Sequence, residues 1–80
     1  MNGCILMRVK PGRGAEALQA IKNTLGVRKA YYVYGQYDIV TFVEAPNYEA
    51  MSRITANISG TDALQSTETL IDALSDRDIN

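Results

Sequence analysis

Histidine and tryptophan do not occur in the 80 residues, and cysteine occurs once, at Cys4. Without histidine the commonest general base is missing, and so is the usual proximal haem ligand. A single cysteine excludes an internal disulfide. It also leaves too few donors for a structural zinc site, and there is no CxxC pair for a metallochaperone. No cofactor or metal is expected. A charge imbalance is missing too. Eight basic and nine acidic side chains leave a formal charge of −1, with no electrostatic footprint for nucleic acid or an anionic membrane. No apolar run approaches the roughly 20 residues of a membrane span. The opening MNGCILMRVKPG places its basic residues after its apolar core, the reverse of a signal peptide. A cytoplasmic location is expected, where the sequon Asn57-Ile58-Ser59 is pattern only.

What is present is apolar surface, at 46% of residues. One domain of this size has a marginal core, and small domains need a staple such as a disulfide, a metal or a partner subunit. With the first two excluded, self-association is expected. Residues 3–10 alternate, with Ile5, Met7 and Val9 on one side and Cys4, Leu6 and Arg8 on the other. This reads as a strand covered on both faces, ended by Pro11-Gly12-Arg13-Gly14. Residues 15–25 read as a helix with Leu18, Ile21 and Leu25 on its apolar stripe and Gly26 as its left-handed stop. Residues 27–34 and 37–44 read as strands joined by a tight turn at Gly35-Gln36, where glycine suits a type II′ hairpin. Asn47 is placed to cap a second helix with Met51, Ile54 and Ile58 buried, ending at Gly60. Residues 64–74 read as a fourth strand, and 75–80 as a polar tail that frays.

The order β-α-β-β-α-β is the ferredoxin-like plan, an α+β fold with a four-stranded antiparallel sheet and both helices on one face. The strands carry apolar residues on both faces, so the uncovered face needs another protein surface. A dimer that packs sheet against sheet, a dimeric α/β-barrel, is expected.

Few residues carry chemistry. Cys4 has no basic or metal partner nearby in sequence and reads as a small buried hydrophobe. Gly12-Arg13-Gly14 before a helix invites a phosphate-loop reading, but the full dinucleotide and Walker patterns are absent and an ordinary turn suffices. An RNA-binding sheet would set its aromatics within a basic motif, and only Arg28 and Lys29 flank the tyrosines. Glu44, Glu49, Glu68 and Asp72 read as solvated, with no compelling acid–base pair. Four of the five tyrosines fall within residues 31–37, around Gly35 and before Asp38. Gly35 either only turns the chain or allows a ligand close to the backbone. Asp38 either ties the hairpin or accepts charge-assisted hydrogen bonds from an ammonium group.

Gly35-Gln36-Tyr37-Asp38 followed by Ile39-Val40 resembles the G-x-Y/F-D hairpin of the Lrp/AsnC regulator family. Pro11-Gly12 before the first helix, Gly26-Val27 opening the second strand, Gly60 closing the second helix and Thr67-Glu68-Thr69 in the fourth strand fall in the same order as that family's pieces. The resemblance spans residues 3–74 and is confined to the family's C-terminal effector-binding (RAM) domain. Thr61-Asp62-Ala63 looks like an insertion, Asp72 stands where an apolar residue is usual, and Tyr34 where a small one is. The resemblance implies a stand-alone effector domain without a helix-turn-helix, dimers that assemble further, and amino acids bound between dimers. Gly35, Gln36, Tyr37 and Asp38 would line that site, with Thr67 and Thr69 from the fourth strand of the same or a neighbouring subunit. It also implies a sensing role in transcription regulation, through homo-oligomers or mixed oligomers with full-length regulators of the family, without enzyme activity, direct nucleic-acid contact or membrane contact. Three other readings stay open: a cofactor-free monooxygenase or isomerase on the same barrel, a ligand-free oligomerisation module, and an ACT-like domain with its ligand at the Pro11–Gly14 loop.

Overall fold

Alternation in the first strand organises the molecule. The computed structural model describes residues 1–72, which form β1 (Asn2–Val9), α1 (Gly14–Lys22), β2 (Val27–Tyr32), β3 (Ile39–Glu44), α2 (Tyr48–Ser59) and β4 (Leu64–Ile71). The strands make one antiparallel sheet in the order β2-β3-β1-β4, the ferredoxin-like arrangement expected. The expected tail, 75–80, and the last residues of the expected fourth strand lie outside the described residues.

Residues directly opposite in an antiparallel ladder share a face. β1 sets Ile5 opposite Thr41 and Thr69, and Met7 opposite Ile39 and Thr67. These positions lie under the helices. Ile5, Met7, Ile39 and Thr41 are fully buried there with Ile21 from α1 and Met51 and Ile58 from α2. Each such Ile or Met contributes about 1.5–3 kcal/mol relative to exposure. The polar member, Thr41, donates to the Met7 sulfur at 3.9 Å. Asn47 caps α2 as expected, its side chain accepting from the Ala50 amide at 2.8 Å.

The opposite face carries no helix. Cys4 and Leu6 of β1 are half-buried there, beside Tyr31, Phe42 and Leu70, which are exposed. The Tyr31 and Phe42 rings lie 6.3 Å apart, centroid to centroid. Cys4 is therefore only partly covered within one chain, at the edge of a hollow of about 320 Å³ that Phe42 and Leu70 also line.

Two boundaries differ from the expectation. Helix α1 ends at Lys22, not at residue 25, and Leu25 is 89% exposed instead of completing the stripe. The Thr24 hydroxyl donates to the Ala20 carbonyl at 2.9 Å, and the Val27 amide donates to Thr24 at 3.2 Å. The chain thus turns out of the helix, and Gly26, at φ 94°, serves the entry into β2. The β2–β3 ladder is centred on Gly35-Gln36 as expected, with Gly35 at φ 113°. It stops early, however: the last ladder pair is Tyr32–Ile39, followed by one hydrogen bond from the Val33 amide to the Asp38 carbonyl at 2.9 Å. Tyr34 is left fully exposed, and Tyr37 turns elsewhere.

Candidate functional site

Asp38 ties the open end of the hairpin to the central strand. Its amide donates to the Met7 carbonyl at 2.8 Å, and its carboxylate Oδ2 accepts from the Val9 amide at 2.8 Å. β3 has not yet begun at this point, so the carboxylate stands where a strand carbonyl would be. Val9 flanks an irregularity in the β1–β4 pairing, which makes the tie useful. Oδ1 accepts no hydrogen bond from a described residue.

Asp38 also lines a cavity of about 300 Å³ with Lys10, Pro11, Gly12, Gly14 and Tyr32. The Pro11–Gly14 loop and the hairpin, two rival sites in the sequence, border the same space. Arg13 is not among the lining residues. Its guanidinium pairs with Glu16 and, at 2.9 Å, with Asp62. Those hydrogen bonds raise the pKa of Arg13 further and hold the Glu16 and Asp62 carboxyls below their ordinary values. Asp62, within the stretch that looks like an insertion, also lies 3.6 Å from Lys10. A phosphate or carboxylate at Arg13 would have to displace two carboxylates already in place.

The remaining residues expected at the site separate into two groups. Gly35 and Gln36 are exposed at the hairpin tip, and an added Cβ on Gly35 would meet nothing within 4 Å. The Tyr37 hydroxyl donates to Glu68 Oε1 at 3.1 Å, and this hydrogen bond raises the phenol pKa. Thr67 and Thr69 lie on the helix-covered face of β4, opposite Met7 and Ile5. The Thr67 hydroxyl is 3.2 Å from that of Ser59 at the end of α2. Within one chain the hairpin therefore reaches β4 through Glu68, on the other face from the two threonines. Glu68 read as merely solvated in the sequence, although strand alternation already set it apart from Thr67 and Thr69. Glu44 and Glu49 are exposed as expected, each paired with an arginine. The Asp72 carboxylate accepts from the Asn2 amide at 2.8 Å. Among the described residues no group of three His, Cys, Asp or Glu side chains is placed to hold a metal ion. No helix among them is long and apolar enough to cross a membrane.

A family model described as the GYD domain matches residues 2–79. No curated protein matches the chain. Among solved structures, hypothetical protein PHS023 from Pyrococcus horikoshii is 30% identical, with a TM-score of 0.82 over 95% of this chain and 93% of that one. AsnC from E. coli is 31% identical, with a TM-score of 0.80 over 94% of this chain. The match spans 52% of AsnC. The transcriptional regulator NMB0573 from Neisseria meningitidis, solved as a complex with L-Met, shares the fold at 10% identity, with a TM-score of 0.75 over 92% of this chain and 51% of that one. The fold is thus one that transcriptional regulators carry over about half of their length.

Proposed function

The chain belongs to the GYD domain family, and on that premise we propose that it is a non-enzymatic regulatory domain that binds an amino acid or a related small metabolite and oligomerises. The domain comprises residues 3–74. The observation that carries the ligand reading is Asp38. One carboxylate oxygen is spent on the Val9 amide, and the other is left beside a cavity that Lys10 and Tyr32 also line. An ammonium group on Oδ1 would form a charge-assisted hydrogen bond. The turn amides of Gly35, Gln36 and Tyr37 are donors for the carboxylate. The same fold in NMB0573, named as a complex with L-Met, is consistent with an amino-acid ligand.

Thr67 and Thr69 enter this site from a neighbouring subunit, because within one chain β3 and β1 stand between β4 and Tyr32. The open sheet face supports the assembly. Tyr31, Phe42 and Leu70 are 40%, 40% and 54% exposed on one surface, and contiguous apolar patches of this kind mark protein contacts. A ligand held between subunits shifts the population toward the assembly that binds it. The chain acts on transcription through mixed oligomers with full-length regulators that share its fold.

A thermal-shift screen against the twenty amino acids, with light scattering on any hit, tests the reading. At least one amino acid is expected to raise the melting temperature of the wild type and not of Asp38→Asn, which keeps an acceptor for Val9 but loses the charge. No shift in a ligand-free oligomer overturns the ligand reading. A monomer in sedimentation at micromolar concentration overturns the assembly.

A further inference from the structure

A cavity larger than the one at Asp38 lies at the other end of the hairpin, where β2 begins and β3 ends. Its volume is about 640 Å³, inside the roughly 300–1,000 Å³ range of small-molecule sites. Val27, Ala50 and Ile54 give it an apolar lining, and Leu25 stands at its edge, 89% exposed. Charges of both signs also line it. Glu44 Oε1 accepts from Nε and Nη2 of Arg28, at 2.9 and 2.6 Å. Glu44 Oε2 accepts from no described residue. Arg53 meets Glu49 one turn away at 3.1 Å, an ion pair 67% and 83% exposed. Such a pair holds its partners weakly, so the guanidinium can turn to another carboxylate.

We propose that this cavity is a second ligand site that takes a small zwitterion with an apolar side chain. The ammonium donates to Glu44 Oε2, the carboxylate accepts from Arg53, and the apolar body covers Leu25, Val27 and Ile54. The inference shares its ligand class with the proposed function but not its residues. Six residues of strand separate the two sites, about 20 Å at the usual rise.

The test is an NMR titration of the full chain with L-leucine, in the wild type and in Asp38→Asn. Saturable shifts at Leu25, Val27 and Ile54 are expected in both proteins, whatever happens at the hairpin. Arg53→Gln is expected to weaken this binding about tenfold, the loss of one charge-assisted contact. Leu25→Ser is expected to weaken it by about threefold, through lost apolar contact. Both side chains are exposed, so neither change threatens the fold. The oxo acid 4-methyl-2-oxopentanoate lacks the ammonium and is expected to bind about tenfold more weakly. Shifts confined to the Gly35–Asp38 hairpin, or none, overturn the site. Equal binding of the oxo acid, or no change in Arg53→Gln, overturns its zwitterion chemistry. Loss of hairpin shifts alone in Asp38→Asn bears only on the proposed function.

Discussion

The two ends of the β2–β3 hairpin each hold a glycine at positive φ, and the resemblance ends there. At the α2 end, Gly26 lies against the core. Its carbonyl accepts from the Glu44 amide at 3.0 Å, and a Cβ added to it would fall 2.3 Å from Ile54 Cδ1. At the open end, Gly35 has nothing within 4 Å of such an atom, and the tie to the sheet runs through the Asp38 side chain. One end is fixed by backbone and packing, the other by the Asp38 backbone and carboxylate and the Tyr37 hydroxyl, beside an exposed turn. An end held this way tolerates new residues, as surface loops do.

Substituting both glycines separates what they share from what they do not. Gly26→Ala adds a collision to the backbone strain and is expected to cost about 2–3 kcal/mol. The cost is kept from rising further because Ile54 borders a cavity into which its Cδ1 can swing. Gly35→Ala carries the strain alone and is expected to cost about 1 kcal/mol. Ile54→Val, which removes the colliding methyl, is expected to cost about 0.5–1.5 kcal/mol alone and nothing in the Gly26→Ala background. Urea unfolding of the four proteins gives the coupling as a double-mutant cycle. Equal costs for the two glycine variants would erase the contrast.

Asp38 sharpens the comparison at a smaller scale. Asp38→Ala removes the acceptor for the Val9 amide in a solvent-exposed setting and is expected to cost about 1 kcal/mol. Asp38→Asn restores an acceptor and is expected to be near neutral. A loss well above that in Asp38→Asn would mean that the charge itself holds the open end, not the hydrogen bond.

The helix-covered core was more legible in the sequence than the hairpin tip. Alternation put Ile5 and Met7 on one face of the first strand, and the 3.6-residue spacing of Met51, Ile54 and Ile58 marked the buried stripe of α2. Both rest on periodicity, which a single chain displays. The stop of α1 was misread because Leu25 continues the apolar spacing, while the turn is made by the Thr24 hydroxyl and by Gly26, which local pattern does not weigh against a further helical turn. The candidate site was legible only as a cluster of residue types around Gly35. That Asp38 reaches Val9, and that Tyr37 reaches Glu68 across the central strand, depends on contacts 29 and 31 residues apart in the chain. Periodicity carries no information at that separation. Nor did it reveal that Asp62, two residues past Gly60, supplies a second carboxylate to Arg13.

The smallest expected effects are electrostatic, and they have opposite signs at Arg13 and at Tyr37. Arg13 holds Glu16 and Asp62 below their ordinary values of 4.5 and 3.8 through hydrogen bonds. A lowered native pKa means that the unfolded chain binds more protons in that range. The stabilisation is therefore full above those ordinary values and is lost as pH falls through the native ones. Tyr37 is shifted the other way, raised above 10.0 by its hydrogen bond to Glu68. Its contribution is full below pH 10.0 and is lost as pH rises through the native value. The groups are exposed, so both effects are small and are weakened by salt. NMR titration of the Glu16 and Asp62 carboxyls should give midpoints below the ordinary values that return toward them in Arg13→Gln. Ultraviolet titration of Glu68→Gln should bring one tyrosine back toward 10. If Glu68→Gln leaves every tyrosine midpoint unchanged, Tyr37 is not held to β4 in solution, and the open end of the hairpin depends on Asp38 alone.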